Sequence, residues 1–175
     1  MFLECILSAN DVVESINENM DYLLKIIPEL NGIIGFEHNH PQHHLDVWKH
    51  TLCALSMSPN DFDIRLTLLL HDIGKRYSYQ DEEVRHFRGH PKVSAQMSEG
   101  ILKRLGFNEE YIKNICYLIE FHDTRMTKEQ IDSNYELCLK LYEVQRCDAL
   151  AHNPDFLEKR KKYLEETKLL LRRGE

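Results

Sequence analysis

The chain has 175 residues, 42% hydrophobic and 29% charged, an ordinary balance for a folded chain of one-domain length. Its formal net charge of -7 argues against a general pull toward nucleic acid, where binding draws on Lys and Arg. No apolar run reaches the ~20 residues of a membrane span, and the start MFLECILSANDVVE, acidic and free of basic residues, fits neither a secretory signal nor a transit peptide. The cytosol is therefore the expected compartment.

Helical periodicity dominates and strand-like alternation is scarce, which predicts an all-α, single-domain helical bundle. A first helix is predicted over 10–30, capped by Asn10 or Asp11 and stopped at Asn31-Gly32. GIIGFEHNHP (32–41) reads as a loop, and a second helix follows over 43–57, ending before Pro59. Asn60 or Asp61 caps a third, whose apolar run of Ile64, Leu66, Leu68, Leu69 and Leu70 delivers His71 and Asp72 at its end. The polar stretch 74–89 (GKRYSYQDEEVRHFRG) reads as a functional loop. The next helix begins after Pro91 and stops at Gly106. Asn108 caps another that runs to about Phe121, and a short one follows Thr127. A long helix spans 135–152 and breaks at Asn153-Pro154, and a charged amphipathic helix over 155–171 closes the chain. The core is expected over about 43–154, with helices 10–30 and 155–171 packed on it.

Cys5, Cys53, Cys116, Cys138 and Cys147 are odd in number and contain no CxxC pair. Neither a disulfide framework nor a thiolate zinc site is expected, and the cysteines read as buried, reduced and inert. The ten histidines are the unusual feature. His71-Asp72 abuts a strongly apolar run, where a polar pair is costly unless something satisfies it. A divalent cation would do so, with imidazole and carboxylate as ligands. Adjacent helical residues point about 100° apart, so the two can grip one ion from two directions, or one can bind while the other bridges two ions. His50, His90, His122 and Asp148 are further candidate ligands on separate helices, the way helical bundles assemble metal sites. His90 and His122 could instead meet substrate phosphate. Lys75 is the first candidate cation for phosphate, followed by Arg76, Arg85, Arg88 and Arg146. Asp123 could orient His122, act as a base or merely cap a helix. His38, His40, His43 and His44 read as an exposed polar loop rather than an extra metal or phosphate contact. His86 and His152 read as peripheral, and Tyr77 and Tyr79 as packed or solvent-facing rather than base-stacking.

HLDVWKHTLCAL, LLLHDIGKRYSY, HFRGHPKVSAQMSEGILKRLGF, EFHDT and VQRCDALAHN together resemble the HD phosphohydrolase superfamily. More narrowly they resemble the HD region of bacterial CCA-adding tRNA nucleotidyltransferases, from IIPELNGIIGFEHNHPQHHLDVW to about Pro154. The resemblance implies His50 as the first ligand, His71 and Asp72 as the signature pair and Asp148 as the closing aspartate. It implies His90 and His122 as the extra histidines of dinuclear members, in which the signature aspartate bridges two ions. It also implies one or two divalent ions, drawn from manganese, iron, nickel, cobalt or magnesium. The catalytic set expected is Asp72, Lys75, His90 and His122. The expected activity is hydrolysis of a phosphate ester of a nucleotide or 2′,3′-cyclic nucleotide by metal-activated water. No Gly-rich segment with paired carboxylates is present for nucleotidyl transfer, so a free-standing HD domain without CCA addition is expected. The alternative is a non-catalytic module that binds a tRNA end or a protein partner, and a weaker one is a hydrolase of alarmones or dinucleoside polyphosphates.

Overall fold

A computed structural model of the chain describes residues 2–172. At its centre helix α5 (Phe62–Leu70) packs against α4 (Val47–Ser56), α8 (Glu109–Phe121) and α10 (Tyr135–Leu150). Every residue of α5 from Ile64 to Leu70 is buried, which is what a helix enclosed on all sides requires. Asp61 starts it by accepting a hydrogen bond from the Ile64 amide at 3.0 Å. Around this centre α7 (His90–Arg104) lies along α8, and α11 (Leu157–Arg172) lies along α10. The short helix α9 (Lys128–Ser133) carries a capping box between Thr127 and Gln130.

Three stretches differ from the sequence expectation. The helix predicted over 10–30 is broken into α2 (Val12–Glu18), α3 (Met20–Ile26) and a 3-10 turn, Pro28–Gly32, and an additional helix, α1 (Phe2–Leu7), precedes it. The break falls at Asn19, which leaves helical geometry and donates its side-chain amide to Ser15 O at 2.8 Å. Pro28, with no N–H to donate, ends the remainder. The second helix starts at Val47 rather than 43, because the Asp46 carboxylate caps it by accepting from the Lys49 amide at 2.9 Å. Residues 43–46 thus stay in the loop.

The stretch 74–89 is more ordered than a bare loop. It contains a one-turn helix, α6 (Lys75–Ser78), and an antiparallel hairpin of β1 (Gln80–Asp81) and β2 (Arg85–His86). Arg85 fastens it, donating to both Asp81 carboxylate oxygens at 2.6 and 3.1 Å and to Glu37 O at 2.9 Å. All five cysteines are free, with Cys138 and Cys147 buried and Cys53 and Cys116 half-buried. Cys5 is exposed, contrary to the expectation, because it points outward from α1 while Leu3, Ile6 and Leu7 face the core. No described helix is long and apolar enough to cross a membrane.

Candidate metal centre

The packing of α4, α5 and α10 brings together side chains that are far apart in sequence. His50 projects from the middle of α4, His71 and Asp72 follow the last turn of α5, and Asp148 projects from the end of α10. His50 Nε2 stands 2.8 Å from Asp148 Oδ1 and 3.9 Å from Asp72 Oδ2. His71 Nε2 stands 3.3 Å from Asp72 Oδ2 and 3.6 Å from Asp148 Oδ1. All four residues are buried.

A second group meets the other oxygen of Asp72. His90, the first residue of α7, places Nε2 3.2 Å from Asp72 Oδ1, and His122, just past α8, places Nε2 3.9 Å from it. The two Nε2 atoms are 3.3 Å apart. Gly74 makes this approach feasible, because a Cβ there would sit 2.5 Å from Ser94 N and 3.0 Å from His90 O. The Gly74 amide also donates to Ser94 Oγ at 2.9 Å, tying the turn that carries His71 and Asp72 to α7.

The donor atoms are prepared for a cation. His50, His71, His90 and His122 each donate Nδ1–H to a backbone carbonyl, of Ala151, Leu68, Phe87 and Ile119 respectively. A carbonyl only accepts, so the proton of each neutral ring lies on Nδ1 and the Nε2 lone pair faces the centre. Lone pairs therefore confront one another between His50 and Asp148 and between His90 and His122. Only a proton or a metal ion between them relieves that confrontation. His71 Nε2 and both Asp72 oxygens are buried without a hydrogen bond, although Lys75 Nζ lies 2.7 Å from Asp72 Oδ2 as an ion pair. Imidazole nitrogens and carboxylate oxygens ~3 Å apart suit a divalent ion with bonds of ~2.0–2.2 Å.

Protonation follows the same division. Burial acts to lower His71, but Asp72, then Asp148, overcome it and raise it to about 10. Burial likewise opposes ionisation of Asp72 and Asp148, yet His71 and Lys75 hold the first, and His152 and His50 the second, well below the usual carboxylate range. His122 is lowered to about 3 by burial, then by His71 and His90. The proton on His71 is what an ion would displace on binding.

A cavity of about 550 Å³ opens onto the cluster, lined by Asp72, Lys75, Phe87, Arg88, His90, His122 and Asp148 among others. Arg85 also lines it, although its donors are committed to the hairpin. Arg76 and Arg146, expected at phosphate, are not there. Arg76 is exposed over the Phe36 ring, with its guanidinium 4.8 Å from the ring centre. Arg146 is turned to Met57 O at 3.0 Å and to Glu143 at 2.8 Å, on the face of α10 away from the cavity. Tyr77 and Tyr79 are exposed and do not line it.

The loop histidines also differ from expectation. His44 is exposed, but His38 is buried, and its ring stacks on that of His43 at 3.7 Å. His38 donates Nδ1–H to Leu45 O at 2.8 Å and accepts from Lys75 Nζ at 2.9 Å. Burial, then the charge of Lys75, lowers it to about 2, so it stays neutral and serves as an acceptor for the lysine. His40, His43 and His86 line the cavity. His152, expected to be peripheral, is buried, donates Nδ1–H to Asp148 O at 2.8 Å and groups with His50 and Asp148. Its signal was available, since it lies four residues after Asp148. Asp123 lines the cavity beside Arg160, which the sequence reading did not single out.

The profile of the HD domain family matches residues 42–168. The chain is also similar to a CC-adding tRNA nucleotidyltransferase of Thermus thermophilus, 34% identical over 121 residues, which is 65% of this chain and 28% of that enzyme. An A-adding tRNA nucleotidyltransferase of Deinococcus radiodurans is 35% identical over 88 residues, covering 46% of this chain and 20% of its own length. The chain therefore matches less than a third of the length of these relatives.

Proposed function

This chain belongs to the HD domain family, and from that membership together with its ligand geometry we propose that it is a metal-dependent phosphohydrolase acting on a phosphate ester of a nucleotide or 2′,3′-cyclic nucleotide. One observation carries the reading: the two oxygens of Asp72 face two separate histidine groups. Oδ2 turns to His71 and His50, and Oδ1 to His90 and His122. His50, His71, Asp72 and Asp148 would hold one divalent ion, and Asp72, His90 and His122 a second, with Asp72 between them. A divalent ion supplies Lewis acidity there, lowering the pKa of water from ~15.7 toward ~7 and offsetting phosphate charge.

The chain's own residues do the rest. The carbonyls that accept from Nδ1 fix the ring orientations, so no reorganisation is needed when ligands engage. His122, held neutral by its burial, acts as a ligand and not as a proton donor. Lys75, steadied between His38 Nε2 and Asp72 Oδ2, offers its ammonium to the non-bridging oxygens of a phosphate entering the cavity. Arg88, exposed at the rim, adds a weaker attraction.

The test is hydrolysis of an aryl phosphate and of 2′,3′-cyclic nucleotides with manganese, nickel, cobalt or magnesium, repeated with Asp72→Ala. The variant is expected to lose the bound transition metal and the activity together. Undiminished turnover would remove this site. The similarity to tRNA nucleotidyltransferases favours a second reading, a non-catalytic HD module for a tRNA end or a protein. Metal-free protein that binds tRNA would support it, although the net charge of -7 gives RNA no general attraction.

A further inference from the structure

The last helix points an arginine at the metal centre. Along α11, Leu164, Thr167 and Leu171 are buried, at spacings of three and four, and form its inward stripe. Arg160 continues that stripe one turn earlier. At that level α11 has passed beyond the packed core and borders the cavity, so the stripe meets carboxylates in place of hydrocarbon.

Arg160 Nη1 lies 3.9 Å from Asp148 Oδ2 and 3.9 Å from Asp123 Oδ1, with its side chain only 27% exposed. Among the described residues its guanidinium donates no hydrogen bond, whereas Arg65, Arg85 and Arg146 each spend several donors on fixed protein acceptors. An arginine so enclosed with its planar fork uncommitted is suited to bidentate capture of an oxyanion. Arg160 is also shared by three hollows. It lines the main cavity with Asp72 and His122, a smaller one of about 100 Å³ with Gln145 and Tyr163, and an outer one that includes Gln42 and Phe156.

We infer that Arg160 is a substrate-binding residue, a clamp for a phosphate group presented to the Asp72–Asp148 cluster, with the outer hollow beside Phe156 receiving the remainder of the ester. The inference rests on the phosphohydrolase reading for its substrate class. When the Asp148 carboxylate is engaged by an ion, its hold on Arg160 weakens and the guanidinium turns its donors to the incoming oxyanion.

The experiment uses the 175-residue chain loaded with manganese and titrates inorganic phosphate by calorimetry, in wild type, Arg160→Met and Arg160→Lys. Met keeps an unbranched apolar stem and removes charge and donors. Its phosphate affinity is expected to fall roughly 10-fold or more, the scale of a lost charge-assisted pair, with Lys in between. Metal content is expected to stay at the wild-type level. On an ester substrate, KM should rise in the same order. If Arg160 only neutralised Asp123 and Asp148, Met would change metal content or melting temperature while phosphate affinity at full loading stayed within twofold, which overturns the clamp. Wild-type protein that binds manganese but no phosphate overturns it too. Phosphate binding that depends on Arg160 without ester hydrolysis would leave the clamp standing and remove the hydrolase reading.

Discussion

The two sides of Asp72 are built differently. On the Oδ2 side, His50 projects from within α4, Asp148 from the last turn of α10 and His71 from the end of α5, three helices that pack on one another at the centre. On the Oδ1 side, both imidazoles sit at helix ends, His90 opening α7 and His122 closing α8. The first group is set by the mutual packing of α4, α5 and α10. The second depends on how α7 and α8 are seated, and Gly74 against Ser94 is where that seating is set.

The largest effects should separate the sides outright. His50→Ala or Asp148→Ala is expected to lower hydrolysis by ~10³-fold or more, the worth of several kcal/mol of metal-assisted stabilisation, with the bound metal lost. His122→Ala is expected to retain one ion per chain, read by elemental analysis. A variant of His122 that lost all metal, or one of Asp148 that kept it, would break the division. A smaller effect probes the hinge between the sides. Gly74→Ala inserts a Cβ 2.5 Å from a backbone nitrogen, and overpacking of this kind costs ~1–3 kcal/mol. The strain falls between the HD turn and α7, so the second ion should weaken more than the first in a metal titration. Equal weakening would mean that the two groups move as one body.

The same division separates what the sequence discloses from what it hides. The cap at Asp61, the apolar run before His71 and the stops at Gly106 and Asn153-Pro154 are local signals, and the helices that carry the site follow from them. The burial of His38 and His152 comes from contacts between segments more than thirty residues apart, and the placing of Arg160 from the way α11 folds back on α10. His38 reaches Lys75, His152 packs on His43, and α11 lies over α10. Nothing in HNHPQHH distinguishes a solvated loop from one folded over a lysine. Arg76 and Arg146 mislead for the converse reason, since closeness in sequence to Lys75 and Asp148 says nothing of which helix face a side chain occupies. The break at Asn19 was hidden because apolar periodicity continues across it, and a single side-chain bond to Ser15 O decides the matter.

The smallest effect is a matter of pH, and in metal-free protein it runs in opposite directions on the two sides. His71 is raised from 6.5 to about 10, so the folded state keeps a proton that the unfolded chain releases. Its stabilisation is complete below pH 6.5 and is lost as pH climbs through about 10. His122 is lowered from 6.5 to about 3, so the unfolded chain takes up a proton that the folded ring refuses. Its contribution is complete above pH 6.5 and is lost as pH falls toward 3. Each involves one proton, a slope of at most ~1.4 kcal/mol per pH unit within its window. His38 and His152 share the sign of His122, being lowered to about 2 and about 3, so the total acid slope is not diagnostic. The difference between wild type and His122→Asn is diagnostic, in denaturant titrations with chelator from pH 4 to 10. It should vary with pH below 6.5 and be flat above, while the difference between wild type and His71→Asn should do the reverse. Saturation with manganese should flatten the His71 curve above pH 6.5, because an ion in place of the proton leaves that ring nothing to titrate there. If His122→Asn altered the alkaline limb instead, the neutral ligand state assigned to the Oδ1 side would be wrong.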